Sequence, residues 1–435
     1  MSAPHIILTN PPYVLQRETG IFKFIDGMSE YMVRKDRTYK SSGSGMAQKL
    51  YPYDFGLGRG VRAGSRWPHI FGPIHSRYAP FPFLPAYASS LLQQHGFRAE
   101  VMDCVSGRQF GYGRFVSDLE EKNPDIVVIE TSEATECIDI WLSRKIAKFA
   151  RVALAGPHVS DATVDRLQGD NPHVTFFLKG EYILSALEMA RTLRPGAYES
   201  TVVKDLDAIP FPDRSFPGAL DAVDGWIPFV ENPQLQIWGS KGCPFKCTFC
   251  LWPQTVYKNT VSLRKPVKIM EEIREAVERY GFKHIYFDDD TFNLGNERIS
   301  ELCGYLKAFG LPWGIMARID ASPLELFEKM IACGCTGMKF GVESFDAGVR
   351  ATICKSLEHD VLYHNLAHLT RKYPNVRFHL TMMRGLPGQS EAVHKKDMQI
   401  LEELGFMNKA NPYRSYQLSA CRAFPGTSLH RELGQ

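Results

Sequence analysis

The sequence lacks the features that mark membrane-spanning, exported and unstructured proteins. Its 435 residues contain no apolar run of the ~18–20 residues that a membrane-spanning helix needs. No basic segment followed by an apolar stretch opens the chain, so we expect no signal peptide. Hydrophobic residues make up 44% and charged residues 23%, as is typical of folded globular proteins. The length predicts two or three domains.

A large excess of one charge is also absent. Lys and Arg number 51 against 48 Asp and Glu, which gives a net charge of +3. A nucleic-acid-binding protein usually carries a larger basic excess, so we expect no nucleic acid among the partners. Ten cysteines without an export signal indicate reduced thiols in a cytoplasmic protein.

Three of the ten cysteines stand close together, at Cys243, Cys247 and Cys250. Gly242 and Pro244 favour a loop here, which would gather the three thiols. Most of the other cysteines lie singly in apolar stretches, where a buried thiol behaves as a small hydrophobic side chain. The cluster of three is therefore the candidate metal-binding segment.

Two kinds of metal centre suit such a loop. A structural zinc site needs four ligands, usually as two pairs from separate segments, and the sequence has no second C-x-x-C pair. His364 and His368 share one face of a predicted helix and could complete a zinc site, although a solvated helix face is the simpler interpretation. Three thiolates without a fourth partner favour a 4Fe–4S cluster with one iron left open.

The pattern of residues 1–195 alternates strands with helices. We predict strands at 5–9, 98–103, 125–130, 152–155 and 174–178. Their continuous apolar cores indicate a parallel sheet covered on both faces, and hence a doubly wound, Rossmann-like α/β domain. Such domains bind ligands at the carboxyl ends of their strands. No Gly-x-Gly-x-x-Gly follows the first strand, which argues against a dinucleotide.

Residues 13–80 interrupt this domain after its first strand, with many aromatic and basic residues. One interpretation is a surface cover with solvated charges. The other is a lid that closes over the active site and binds an anionic group of the substrate through Arg59, Arg62 and Arg66, because guanidinium groups hold carboxylates and phosphates in a bidentate manner.

A linker rich in Pro and Asp is expected at 196–232, before a second β/α series at 233–435. The predicted strands of this series are 235–239, 283–288, 313–318, 337–342, 376–383 and 414–420. Six such units predict a partial (β/α)6 barrel, and barrels of this kind carry their chemistry at the carboxyl ends of the strands. The cysteine loop follows the first of these strands, so it belongs to that edge.

Taken with the ends of the other strands, the cysteine loop resembles the radical S-adenosylmethionine (SAM) superfamily. The C-x-x-x-C-x-x-C spacing is the pattern that holds the 4Fe–4S cluster in that family, and the resemblance makes the three cysteines the catalytic centre. It also implies SAM contacts at residues that lie near most of the strand ends. These residues are Phe249, Asp289, Asp290, Arg318, Glu343, Ser344 and Gly385.

The N-terminal half is similar to the cobalamin-binding domain of one branch of that superfamily, through segments such as Asn10-Pro11-Pro12 and 83–88. The resemblance implies seven cobalamin contacts. They are Thr131, Ser132, Gly156, Pro157, His158, Gly180 and Glu181. The simpler alternatives are that Thr131 and Ser132 cap a helix and that residues 156–157 form an ordinary turn. The Asp-x-His-x-x-Gly motif is missing, so we expect no histidine below the cobalt.

The resemblance implies an enzyme with a 4Fe–4S cluster, SAM and cobalamin as cofactors. The expected activity is a C-methyltransferase, in which a 5′-deoxyadenosyl radical activates an unreactive carbon and methylcobalamin supplies the methyl group. The alternative enzyme is a cyclase or ring-rearranging enzyme that uses cobalamin without methyl transfer. Expected partners are a small-molecule or peptide substrate and an electron donor such as flavodoxin or ferredoxin. A non-catalytic zinc or nucleic-acid binder is the alternative outside enzymes.

Overall fold

The computed structural model describes residues 3–12, 14–16, 59–62, 69–71, 79–107, 112–133, 135–223, 232–355 and 359–434. The chain divides into two compact units. The first comprises Met1–Val203, Ile209–Ala222 and Thr255–Lys258, and the second comprises Lys204–Ala208, Val223–Gln254 and Asn259–Gln435. Within the described ranges, every helix is too short or too polar to cross a membrane.

The first unit is built on a parallel sheet of six strands. The described strands of this unit are β1 (His5–Asn10), β2 (Val14–Gln16), β3 (Arg59–Arg62), β4 (His69–Phe71), β5 (Arg98–Asp103), β6 (Ile126–Glu130), β7 (Arg151–Gly156), β8 (Phe176–Lys179) and β9 (Gly196–Tyr198). The short strands β2, β3 and β4 form a separate antiparallel sheet. The other six are parallel in the order β5-β1-β6-β7-β8-β9. The chain order reverses between β1 and β6, and doubly wound folds bind ligands at such a point.

Helices separate the parallel strands of this sheet. They are α1 (Phe83–Gln94), α2 (Tyr112–Lys122), α3 (Glu136–Ile146), α4 (Val164–Asp170) and α5 (Ile183–Thr192). All five residues of β6 are buried, as are all six of β1. A strand with no exposed side needs apolar residues at successive positions, which explains the continuous Ile-Val-Val-Ile run. The predicted doubly wound α/β fold is confirmed.

The second unit is also α/β. Its strands are β10 (Gln234–Ile237), β11 (Ser240–Lys241), β12 (Ser262–Leu263), β13 (His284–Phe287), β14 (Trp313–Ala317), β15 (Cys335–Glu343), β16 (Arg377–Arg384) and β17 (Arg414–Ala420). Six of them form one parallel sheet in chain order, β10-β13-β14-β15-β16-β17, as predicted for the β/α series. The remaining two, β11 and β12, pair as a short antiparallel hairpin beside the cysteine loop.

Helices connect the strands of the second sheet. They are α6 (Leu251–Thr255), α7 (Pro266–Tyr280), α8 (Asn296–Phe309), α9 (Leu324–Ala332), α10 (Ala347–Thr352), α11 (His359–Lys372), α12 (Glu391–Glu403) and α13 (Ser428–Glu432). The sequence marks both ends of α7. Pro266 occupies its first turn, where a missing N–H costs nothing. Gly281 follows its end with φ 71°, the left-handed conformation that terminates helices.

The predicted linker differs from the structure. Residues 196–198 form β9, the last strand of the first sheet, so the expected boundary at 195 falls directly before a strand. Within the same segment, Lys204–Ala208 belongs to the second unit, where Asp207 accepts a hydrogen bond of 3.0 Å from Arg264 Nε. A Pro- and Asp-rich composition favours turns, but it does not reveal that these turns pack against a folded unit.

Candidate active site

The cysteine loop leaves the carboxyl end of β10, as the sequence predicted. The hairpin of β11 and β12 brackets its start, and α6 begins directly after Cys250. Gly242 has a φ of 83°, and a Cβ at this position would lie 2.0 Å from the carbonyl oxygen of Thr260. Only glycine fits so close an approach of two backbones. The backbone geometry therefore requires glycine at position 242, directly before Cys243.

Two adjacent aspartates after β13 fasten this part of the loop. Asp289 accepts hydrogen bonds from Gly239 N at 2.8 Å and from the Ser240 hydroxyl at 2.6 Å. Asp290 Oδ2 accepts from Gly242 N at 2.9 Å. Burial raises the pKa of Asp289 to about 7, although the bonds from Ser240 and Gly239 oppose the shift. Asp289 is fully buried and supports the loop from behind, and its contact with SAM stays a prediction.

The three thiols lie in a half-buried setting with polar neighbours. Cys243 Sγ is 3.4 Å from the Thr291 hydroxyl, and Cys247 Sγ is 3.8 Å from Arg318 Nη1. Burial raises the pKa of all three thiols, and for Cys250 the charges of Cys247 and Asp290 raise it further. Thiolates rather than thiols bind metals, so iron binding here would displace protons.

One amide side chain gathers the backbone of the loop. Gln254 Nε2 lies within hydrogen-bond distance of the carbonyl oxygens of Cys247, Thr248 and Cys250, at 3.3, 3.2 and 2.8 Å. Its Oε1 accepts from the backbone N and the hydroxyl of Ser428, at 2.7 and 2.8 Å. Gln254 thereby joins the cysteine loop to the first turn of α13. Sequence reasoning did not identify Gln254.

The end of β15 carries a buried ion pair. Glu343 has a φ of 68°, rare for a residue other than glycine, and its Oε1 lies 3.0 Å from Lys355 Nζ. Lys355 is near enough to Cys247 to lower the pKa of that thiol, against the dominant effect of burial. Ser344, the residue after Glu343, is fully buried and its hydroxyl donates to Asp397 Oδ2 at 2.8 Å, and its contact with SAM stays a prediction.

Phe249 and Gly385 lie in the same region of the sheet edge. Phe249 is half-buried against an apolar cluster on the neighbouring elements. The buried members of this cluster are Val349, Ile353 and Leu386. Gly385 is exposed directly after β16, and its N–H donates to Gln389 Oε1 at 2.8 Å. The structure thus brings Phe249, Asp290, Arg318 and Glu343 to the edge that carries the cysteines, and their contacts with SAM stay predictions.

Within the described residues, no three His, Cys, Asp or Glu side chains surround a point where a single metal ion would bind. A four-iron cluster makes a different demand, because each cysteine binds a separate iron and the thiols spread around the cluster. The alternative zinc ligands do not join the loop. His368 Nε2 instead pairs with Glu328 at 2.7 Å, and its ring stacks at 6.3 Å on His364.

The first unit places the predicted cobalamin residues at the carboxyl ends of β6, β7 and β8. Thr131 and Ser132 are buried directly after β6, where the hydroxyls of Ser132 and Thr135 lie 2.9 Å apart. Gly156 has a φ of 100° and Gly180 a φ of 52°. Pro157 is buried between Gly156 and His158. Glu181 is fully buried and accepts from Val203 N at 2.9 Å.

His158 has a carboxylate partner. Its Nε2 lies 2.5 Å from Glu136 Oε2, and Arg166 donates to both oxygens of the same carboxylate, at 2.7 and 2.8 Å. Burial alone would raise the pKa of Glu136, but these hydrogen bonds outweigh it and lower the pKa to about 2. The buried carboxylate of Glu136 thus holds the ring of His158, and the contact of His158 with cobalamin stays a prediction.

Two buried oxygen atoms at the other side of this sheet edge have no hydrogen-bond partner among the residues that the structure describes. They are Asn10 Oδ1, at the end of β1, and Asp103 Oδ1, at the end of β5. Asp103 Oδ2 accepts from Ser106 N at 2.9 Å and from its hydroxyl at 2.5 Å. Buried polar atoms are almost always hydrogen-bonded to protein or to ordered water, so these two oxygens can each accept a further hydrogen bond.

The predicted lid cannot be placed. Most of residues 13–80, including Arg66 and the side chains of Arg59 and Arg62, lies outside the described residues.

Residues 239–399 match the family model of the radical SAM superfamily. The chain contains a radical SAM domain. The matched segment starts just before the cysteine loop and ends within α12, so it covers the loop and most strands of the second sheet.

Three relatives extend the likeness beyond this domain. An uncharacterized methyltransferase of Pyrococcus horikoshii is 26% identical over 298 residues, which is 62% of this chain and 62% of that protein, less than two thirds of its length. The cytidylyl-2-hydroxyethylphosphonate methyltransferase of Streptomyces wedmorensis is 20% identical over 75% of this chain and 74% of its own. The structure of the radical SAM methyltransferase TsrM of Kitasatospora setae, with cobalamin and a [4Fe-4S] cluster bound, shares the fold. Its TM-score is 0.62 at 15% identity, over 81% of this chain and 74% of TsrM.

Proposed function

We propose that this chain is a cobalamin-dependent radical SAM methyltransferase that places a methyl group on an unactivated carbon. The observation that carries the proposal is the cysteine loop at the carboxyl edge of a six-stranded parallel sheet, in a chain that also holds a doubly wound sheet. The names of the relatives and the cofactors bound to TsrM support this activity. The cyclase alternative has weaker support, because the cyclases that match cover only 24% of this chain.

The residues of the second unit fit a 4Fe–4S cluster with SAM. When bound, the cluster supplies the electron that cleaves SAM. Cys243, Cys247 and Cys250 would hold three irons, while Asp290 and Gln254 keep the loop backbone in place. The pair of Glu343 and Lys355 offers one negative and one positive charge, which suits the ammonium and carboxylate of the methionine moiety. The protein's part is to bind, orient and exclude water.

The residues of the first unit fit cobalamin. When bound, cobalamin supplies the methyl group. Its corrin ring carries amide side chains, whose N–H groups could donate to the buried side-chain oxygens of Asn10 and Asp103. At Gly156 a Cβ would lie 3.0 Å from the Glu130 side chain, and at Gly180 it would lie 2.7 Å from a backbone oxygen, so both positions are closed to larger residues.

Anaerobic reconstitution with iron, sulfide and cobalamin tests the function. We expect about four irons per chain, and SAM cleavage to 5′-deoxyadenosine under a low-potential reductant. With SAM labelled in its methyl group, the label should reach bound cobalamin and leave S-adenosylhomocysteine. Replacing the three loop cysteines with Ala should abolish iron binding and SAM cleavage while cobalamin binding persists. Cys354→Ala removes an exposed thiol outside the loop and serves as the control.

The possible outcomes separate the candidate functions. A protein that holds zinc tightly and binds no iron would refute the proposed enzymatic activity. Cleavage of SAM without movement of the labelled methyl group would favour the cyclase. An electron donor of the flavodoxin or ferredoxin type and a reducing cytoplasmic setting belong to the proposal, since a reduced cluster requires both. The predicted anionic substrate rests on Arg59, Arg62 and Arg66 and awaits its own binding measurement.

A further inference from the structure

A guanidinium group lies directly against one cysteine of the loop. Arg318 follows β14 and is only 7% exposed. Its Nη1 is 3.8 Å from Cys247 Sγ, within the distance of an N–H···S hydrogen bond. Its central carbon lies 3.7 Å from the centre of the Phe245 ring, which is also part of the cysteine loop. Arg318 therefore contacts the loop through both a ring and a sulfur atom.

Two other N–H groups of Arg318 bind one carboxylate. Nε donates to Asp320 Oδ1 at 3.0 Å, and Nη2 donates to Asp320 Oδ2 at 2.7 Å, which fixes the plane of the guanidinium. The backbone is fixed as well, because Asn293 bonds to Arg318 N at 3.1 Å and to its carbonyl oxygen at 2.8 Å. This two-sided support directs Nη1 at the sulfur of Cys247.

Hydrogen bonds to cluster sulfurs and the local charge both set the reduction potential of an iron–sulfur cluster. Reduction adds one negative charge, so a fixed cation beside a thiolate ligand stabilises the reduced form more than the oxidised form. Asp320 works against this effect, since its carboxylate offsets part of the charge of Arg318. The pair thus offers two groups of opposite sign acting on the same sulfur.

We propose that Arg318 is a positioning residue that raises the reduction potential of the cluster through a charged hydrogen bond to Cys247, and that Asp320 moderates it. The inference rests on the proposed function, because it requires the cluster. It differs from the predicted role of Arg318 as a contact of SAM.

Redox titration of the reconstituted protein, followed by paramagnetic resonance of the reduced cluster, tests the proposal. Arg318→Gln removes the charge and should shift the midpoint potential to more negative values. Asp320→Asn keeps Arg318 in place and should shift the potential in the opposite direction. Arg318→Lys keeps the charge and should fall between Arg318→Gln and the wild type. If Arg318→Gln does not assemble a cluster, the signs for Asp320→Asn and Arg318→Lys still decide.

Arg414 provides a matched control. It is also 7% exposed and lies over an aromatic ring, that of Phe378, at 4.9 Å. It begins β17, however, at the amino end of the sheet. Arg414→Gln should leave the potential unchanged even if it lowers stability. Unchanged potentials in the Arg318 and Asp320 variants, or shifts of the same sign, would overturn this inference alone. A wild-type protein that holds no cluster would overturn the proposed function as well.

Discussion

Replacing Gly242 with Ala should damage the cysteine loop more than any other change of one methyl group. The new Cβ would lie 2.0 Å from the carbonyl oxygen of Thr260, and real Cβ atoms do not approach other atoms within 3.0 Å. One of the two backbones must therefore move by about 1 Å or more. Gly242 N also donates to Asp290, so a shift of Gly242 strains that bond and displaces Cys243.

The cost has two parts. An L-residue in the left-handed region costs roughly 1–2 kcal/mol relative to glycine. Moving Thr260 disturbs the hairpin of β11 and β12, in which Lys241 pairs with Ser262. Losing one or two hydrogen bonds there or at Asp290 adds roughly 1–3 kcal/mol. We therefore expect Gly242→Ala to lower the free energy of unfolding by about 2–5 kcal/mol and to reduce iron binding.

Gly310→Ala isolates the conformational part. Gly310 ends α8 with φ 84°, and a Cβ there would meet nothing within 4 Å. This control should cost only the roughly 1–2 kcal/mol of the backbone conformation and keep its full iron content. Denaturant unfolding and iron analysis of both variants check the prediction. Equal losses of stability and equal iron content in the two variants would refute the steric argument.

Gln254→Leu removes the amide that joins three loop carbonyls to Ser428. It should lower the free energy of unfolding by about 1–3 kcal/mol and reduce the iron that remains bound after gel filtration. Full retention of iron would contradict the role of Gln254 in the loop. Glu136 has its pKa lowered to about 2, so its stabilising effect is present above its ordinary value of 4.5 and is lost as the pH falls towards 2. Glu136→Gln should remove at most about 3 kcal/mol of pH-dependent stability in that window, measured by unfolding at pH 5 and pH 3. The paramagnetic resonance spectrum of bound cobalt(II) should lack nitrogen splitting, because Glu136 holds the ring of His158; a split spectrum that His158→Ala abolishes would contradict this.

The strands of both main sheets were predictable because buried parallel strands leave a simple pattern. All but one of their twelve strands were anticipated within two residues, since continuous apolar runs between helices have few other interpretations. The exception is β9, whose sequence Gly-Ala-Tyr is too short and too mixed to stand out. The hairpin of β11 and β12 was also missed, because its two pairs leave no periodic pattern.

The polar contacts of the site were not predictable, because their partners come from distant parts of the chain. Gln254 meets Ser428 across 174 positions. Ser344 meets Asp397 across 53 positions. A motif records which residue follows a strand, but the direction of its side chain depends on the elements packed around it. The sequence therefore predicted where the site residues lie along the strands more reliably than it predicted the contacts of their side chains.

The two aspartates after β13 show what a motif does determine. Asp289 and Asp290 follow the end of β13, and each bonds to a different part of the segment that leads into the cysteine loop. Asp289 turns inwards to Gly239 and Ser240, and Asp290 turns to Gly242. Both carboxylates bind the segment that leads into Cys243, although from different sides. A paired acid at this strand end therefore fixes the path of the cysteine loop, and the contact of the half-buried Asp290 with SAM stays a prediction.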